Sequence, residues 1–399
     1  MSREKERIRK RLEKNPIAEC NKIQRRFIPE LFSMFDEVAD PRHQSYIKYD
    51  TREMLGTMYY KCIGGISSMQ GMTREFNNDN VVNNLYSFMN RTVKDFLPHG
   101  VTENDFFEKL NPKELEKIQQ DIVYSMIRRR TFDDARVFKR WNIIVDATEL
   151  DEGYRQKNEY YLSRCYNKGE ANEFTKYHRS VLEAKIYFGN NIVCSIATEP
   201  IENSNEYVNQ SDETVKQDCE RKAFVRLAEK IKNYLMEQIA DFIKQLYEYF
   251  YLKKNEIMFH DYDVNLIYYR ERRVVKATEK ETEFAWITNI KITKSNVRKI
   301  IAAGRNRWKI ENQGFNRQKH WQGNIEHACS WNERAQKNHY LMEQIADFIK
   351  QLYEYFYLKK NEIKKLQKNI SSELLSSFGQ QLTETEDILT VKLNNTALN

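Results

Sequence analysis

The segment YLMEQIADFIKQLYEYFYLKKNEI occupies Tyr234–Ile257 and, letter for letter, Tyr340–Ile363. Its apolar positions in the first copy, Leu235, Ile239, Phe242, Ile243, Leu246 and Phe250, make a helical stripe. Repeat proteins drift between units and need about three or more of them to bury a core. Two identical copies with nothing repeated around them indicate a copying event, not a solenoid. One copy is then in its native place and the other has landed on something, and the stripe has no sustained heptad that would pair the copies as a coiled coil.

The surroundings must say which is which. The chain has 399 residues, enough for two or three domains. Only 12 Gly and 6 Pro interrupt it, which favours long helices. The opening MSREKERIRKRLEK has no apolar signal core, and no long apolar run spans a membrane, so a cytoplasmic protein is expected. The six cysteines form no C-x-x-C pair and read as free thiols.

Residues 1–140 carry apolar positions at helical spacing and form the first expected unit. The pattern changes at WNIIVDATEL, a short apolar run, Ile143 to Val145, ending in Asp146. Val181–Phe188 and Ile192–Thr198 then flank Gly189-Asn190-Asn191, a hairpin signal. A helix follows, with Asp212 as a plausible N-cap. The order strand, strand, strand, helix is how a ribonuclease H-like domain begins. That domain next requires a parallel strand, but the following segment is the first repeat copy. EFAWITNIKIT reads as a strand, and KSNVRKIIAAGRNRWKIENQGFNRQKH as a helix broken near Gly304. The expected units are 1–140, helical; 141–335, interrupted by 234–257; and 336–399, the C-terminal helix with copy 340–363 and a polar tail.

The window Lys294–Lys319 holds eight cations, Lys294, Arg298, Lys299, Arg305, Arg307, Lys309, Arg317 and Lys319, against one acid, Glu311. Such a stretch suits a phosphate-binding surface. Glu311 lies four residues after Arg307, on the same helical face, and reads either as a surface i,i+4 partner of Arg307 or as a metal-ligand carboxylate. Asp146, placed just after a buried run, is its natural partner, or else a turn residue. Two more basic runs, Arg128–Arg140 and the first 14 residues, read as solvated helix faces or further DNA contacts. Trp308 and Trp321 flank Glu311 and are expected in the core, the alternative being that one stacks on a flipped or unpaired base.

IIVDATEL, VLEAKIYFGNNIVCSIATE and GRNRWKIENQGFNRQKH together resemble a DDE transposase of bacterial insertion sequences, over about residues 35–375. The likeness is to the group with an Arg-Glu-Lys signature helix around the last acid. It implies a mixed α/β fold: a ribonuclease H-like catalytic domain, its mixed sheet flanked by helices, behind a helical N-terminal DNA-binding domain. It also implies Mg²⁺ or Mn²⁺, double-stranded DNA as partner at element ends and target, and a homodimer on DNA. Asp146 matches the first acid and Glu311 the last, both as catalytic metal ligands. Arg307 matches the signature Arg, with Arg305, Lys309 and Lys319 as further DNA contacts. The signature Lys falls at Lys319 or is displaced, since the strict pattern puts it at Gln318, and the signature Tyr falls at Gly304. The second Asp belongs where the first repeat copy begins; Asp261 and Asp263 are its possible substitutes. Asp241 and its twin Asp347 read as solvated helix residues. The second copy coincides with the family's C-terminal helix and so reads as the native one. The chain is thus expected to be a transposase impaired in metal-dependent cleavage and strand transfer, or a non-catalytic DNA-binding protein of the same descent that inhibits or assembles with an intact one.

Overall fold

The computed structural model describes residues 14–203, 217–234, 265–275, 278–288, 290–327 and 329–382. Seven helices come first: α1 (Pro16–Phe27), α2 (Leu31–Asp36), α3 (Thr51–Ile63), α4 (Met69–Glu75), α5 (Asp79–Met89), α6 (Gly100–Lys109) and α7 (Pro112–Arg128). Local chemistry sets their starts. Asn15 and Asn111 cap α1 and α7, each followed by a proline that fits the first helical position without wasting an N–H. Asp50 and Glu53 form a reciprocal capping box at α3. All thirteen residues of α3 are buried.

Four strands follow: β1 (Asn142–Gly153), β2 (Leu162–Tyr166), β3 (Phe174–Tyr187) and β4 (Val193–Ile201). β3 is the spine of an antiparallel sheet, with β1 along one edge and β4 and β2 end to end along the other. The turn between β3 and β4 forms where Gly189, Asn190 and Asn191 all take positive φ, at 77°, 52° and 66°. Glycine and asparagine tolerate that region best. Next come α8 (Glu220–Tyr234) and a hairpin of β5 (Asn265–Val275) and β6 (Thr278–Thr288). After α9 (Val297–Arg305), a helical run over Arg307–Lys309, Ile310–Phe315 and Gln318–Gln322 contains two π turns. The chain then forms α10 (Glu333–Tyr353), a π turn at Glu354–Lys359 and α11 (Gln367–Ser377).

Helix α10, capped by Asn332, carries the second repeat copy and is the centre of the molecule. It packs against α1, α3, α6, α7 and β4. Leu341, Met342, Ile345, Phe348, Ile349 and Leu352 are all buried, each contributing roughly 1.5–3 kcal/mol. Its polar side chains are buried as well, because sheet and helix repeats match. Tyr340 donates to Glu183 (3.1 Å) and Gln344 accepts from Lys185. Two strand residues span about 6.6 Å and four helical residues about 6 Å, so positions 183 and 185 meet 340 and 344. Further on, Gln351 accepts from the Val193 N–H (2.8 Å). The second copy therefore occupies a seat built for it. The first copy, apart from Tyr234, lies outside the described residues, as do Asp212, Asp241, Asp261 and Asp263.

Several expectations are corrected. β1 does not end at Asp146 but runs on to Gly153, paired along most of its length with β3. β2, β5 and the first half of β3 extend the sheet content into polar stretches. The main hydrophobic core runs from Ile17 through β3 and β4 to Phe378, and residues of all three expected units contribute to it. Asp347 is not solvated: it is fully buried, with Arg317 Nε 2.6 Å from its Oδ1. Trp308 and Trp321 are half-exposed, at 50% and 41%, instead of core residues. The described sheet is antiparallel throughout, and among the described residues no helix is long and apolar enough to cross a membrane.

A buried acid gives a stability test. Glu103 on α6 is fully buried and neither carboxylate oxygen has a hydrogen-bond partner among the described residues. Burial pushes its pKa well above the usual carboxylate range, outweighing Arg42 and Lys61. The folded state thus holds a proton that the unfolded chain releases. Its contribution is intact below the unfolded pKa, about 4.3, and is lost as pH rises towards the folded value. Glu103→Gln keeps the shape and removes the titration. Urea unfolding should show the variant more stable by roughly 1–3 kcal/mol at neutral pH. The gain should shrink towards about pH 5; a gain independent of pH would contradict the assignment.

Candidate nucleic-acid interface

Alternation along β1 sends Ile143, Val145 and Ala147 into the main core and puts Ile144 and Asp146 on the other face. There Ile144 packs with Ile310, Phe315 and Tyr187, which seats the π-bulged run on the strand. The seating brings Arg307 to Asp146, 161 positions away in sequence: its Nη1 donates to Asp146 Oδ2 at 3.0 Å. Arg307 also lies over the exposed ring of Trp308, 5.6 Å from its centroid. Glu311, half-buried in the first π turn, follows Ile310 directly and stands one turn beyond Arg307, on the part of the run that meets β1. The i,i+4 alternative for Arg307 is not the pairing adopted, since Asp146 takes its guanidinium. Single π turns inside α-helices are frequent at functional sites.

The other expected cations divide. Lys309 donates to Asn191 of the β3–β4 turn (2.7 Å) and so ties the run to the sheet. Arg305 pairs with Glu271 of β5 (3.0 Å) and stacks over Phe284 (5.2 Å). Lys319 pairs with Glu326 (3.0 Å). Gln318 is buried against Gln344 and Asp347. Arg317 is an internal ion-pair partner of Asp347 and Glu354, with 1% exposure, and is closed to DNA. Arg298 and Lys299, by contrast, are exposed on α9 and carry no ion pair among the described residues. At Gly304 a Cβ would stand 2.7 Å from the Trp286 indole nitrogen, so the hairpin occupies the space a tyrosine would need.

Glu183 was not anticipated from the sequence. It lies directly across the β1–β3 ladder from Asp146 on the same face. It is fully buried and accepts hydrogen bonds from Ser195, Thr198 (2.8 Å) and Tyr340. Burial raises its pKa although Lys185 and these donors pull the other way. The available signal was Glu183 and Lys185 alternating inside an apolar strand, the mark of a buried polar pair.

Asp146 and Glu311 are hard oxygen donors of the kind Mg²⁺ takes. Asp146, however, already has Arg307 for counter-ion. Among the described residues no group of three or more His, Cys, Asp or Glu side chains is placed to hold a metal ion. Asp146 and Glu311 are two of the three acids that the resemblance implies. Comparison with models of protein families, with curated proteins and with solved structures finds no match to this chain.

Proposed function

We propose that this chain is a DDE transposase by descent. It binds double-stranded DNA on the surface around Arg307, and its metal-dependent strand cleavage and transfer are impaired by the missing second Asp. One observation carries the reading: two residues that the resemblance assigns to one site, Asp146 and Arg307, are in contact despite their separation in sequence. The antiparallel order β1–β3–β4 followed by α8 supports a ribonuclease H-like fold. The position of Glu311 beside β1 supports its role as the last acid.

The Arg307–Asp146 pair is partly exposed, at 56% and 29%. Pairs of that kind are worth about 0–1 kcal/mol. A DNA phosphate can therefore take the guanidinium at small expense, and Arg298 and Lys299 are exposed on α9, the preceding helix. Dimerisation on DNA belongs to the same proposal. The second reading, a DNA-binding protein of transposase descent without its own catalysis, uses the same surface and needs no metal.

Fluorescence anisotropy with a labelled duplex tests the binding. Saturable binding at about 50 mM salt that weakens steeply towards about 200 mM is expected. No binding at the lower salt would reject both readings.

A further inference from the structure

Between the π-bulged run and α10, a loop carries Cys329 to the side of α3. The half-buried thiol there meets two basic groups. Lys61 Nζ lies 3.8 Å from its sulfur and His327 Nδ1 3.9 Å, while Sγ donates to the Ser67 carbonyl oxygen (3.0 Å). Lys61 is itself buried, and among the described residues only this sulfur contacts its ammonium in the hydrogen-bond network. A cavity of about 30 Å³ opens beside the group, lined by Lys61, His327, Cys329, His339 and Glu343 among others. One water-sized occupant needs roughly 10–15 Å³, so a single oxygen atom fits. His339, nine-tenths buried, lines the same cavity, and its Nε2 has no partner among the described residues. Burial, reinforced by the charges of Lys61 and His327, keeps this ring neutral. The cavity thus presents an unanswered polar nitrogen next to a thiol with a base and a cation at hand.

We propose that Cys329 is a peroxide-reactive thiol and that its sulfenic acid is held in this cavity against His339. The sulfur attacks one oxygen of hydrogen peroxide. The S–O bond forms as the O–O bond breaks, sulfur is oxidised by two electrons and the peroxide is reduced. The thiol proton passes to His327 and from there to the departing hydroxide, which leaves as water. Lys61 is the counter-ion of the attacking thiolate. The product oxygen enters the cavity and hydrogen-bonds His339. Cys165 and Cys219 are more exposed but lack this combination of neighbours, while Cys20, Cys62 and Cys194 are buried, with burial raising their thiol pKa values.

The test is dimedone labelling of the full chain after brief exposure to dilute hydrogen peroxide, read by peptide mass spectrometry. Cys329 should be labelled at least about tenfold faster than Cys165 or Cys219. His327→Ala, at an exposed position, should slow labelling of Cys329 alone, and Lys61→Met should do the same if it folds. Equal labelling of the three cysteines would overturn the proposal. So would an unchanged Cys329 rate in folded His327→Ala.

Discussion

Arg317→Met should destabilise the protein by about 3–5 kcal/mol, the usual result of stranding one charge of a buried pair. Folded domains rarely exceed roughly 5–15 kcal/mol in total, so the variant should be marginal at room temperature. Arg317 is enclosed, with Asp347 on one side and Glu354 on the other. Without it Asp347 keeps hydrogen bonds from Gln318 and Gln351 (3.0 Å each) but loses its nearest cation. Burial pushes the Asp347 pKa up, and Arg317 and Lys350 outweigh that and hold it below the usual carboxylate value. The pair's contribution is therefore present above the unfolded pKa, about 3.9, and lost as pH falls through the folded value. Urea titrations should show the two proteins converging in acid. Arg317→Met with Asp347→Leu should recover most of the loss, since replacing both charges removes the stranded ion. A single-variant loss under about 1 kcal/mol would mean that the pair is not buried in solution.

Strand cleavage should be undetectable. Two-metal phosphoryl transfer clamps both the attacking and the leaving oxygen. The described residues offer two carboxylates, Asp146 and Glu311, one fewer than the three acids the resemblance implies. Each tenfold loss in rate is about 1.4 kcal/mol of transition-state stabilisation. Losing a carboxylate ligand from a hard-cation site should remove several such factors. On the proposed reading, a supercoiled plasmid should stay intact in Mg²⁺ and in Mn²⁺. Robust cutting that disappears in Asp146→Asn and Glu311→Gln would show that a third carboxylate is supplied. Asp261→Ala and Asp263→Ala would then decide between those two.

What could be read locally was legible in the sequence: the helical first third, the strand at Ile143–Val145, the Gly-Asn-Asn turn and the break near Gly304. These depend on neighbours in the chain. β2, with Ser163, Arg164 and Cys165 exposed, lacks the apolar run that announces a strand, and pairs because β3 presents a free edge. The polar side chains of α10 resemble a solvated face until Lys185, Gln318 and Arg317 arrive from distant segments to satisfy them. The same pairing removes Arg317 from the cations open to DNA and leaves Lys294, Arg298, Lys299 and Arg307 as the exposed ones.

The central claim is that the surface around Arg307 binds DNA, and the dependence of duplex affinity on salt tests it most directly. For Arg298→Ala, Lys299→Ala and Arg307→Ala combined, the slope of log affinity against log salt should flatten by roughly 0.9 for each phosphate no longer neutralised, up to about 2.7. A slope equal to that of the unaltered protein would contradict the claim and move the interface to another face of the molecule.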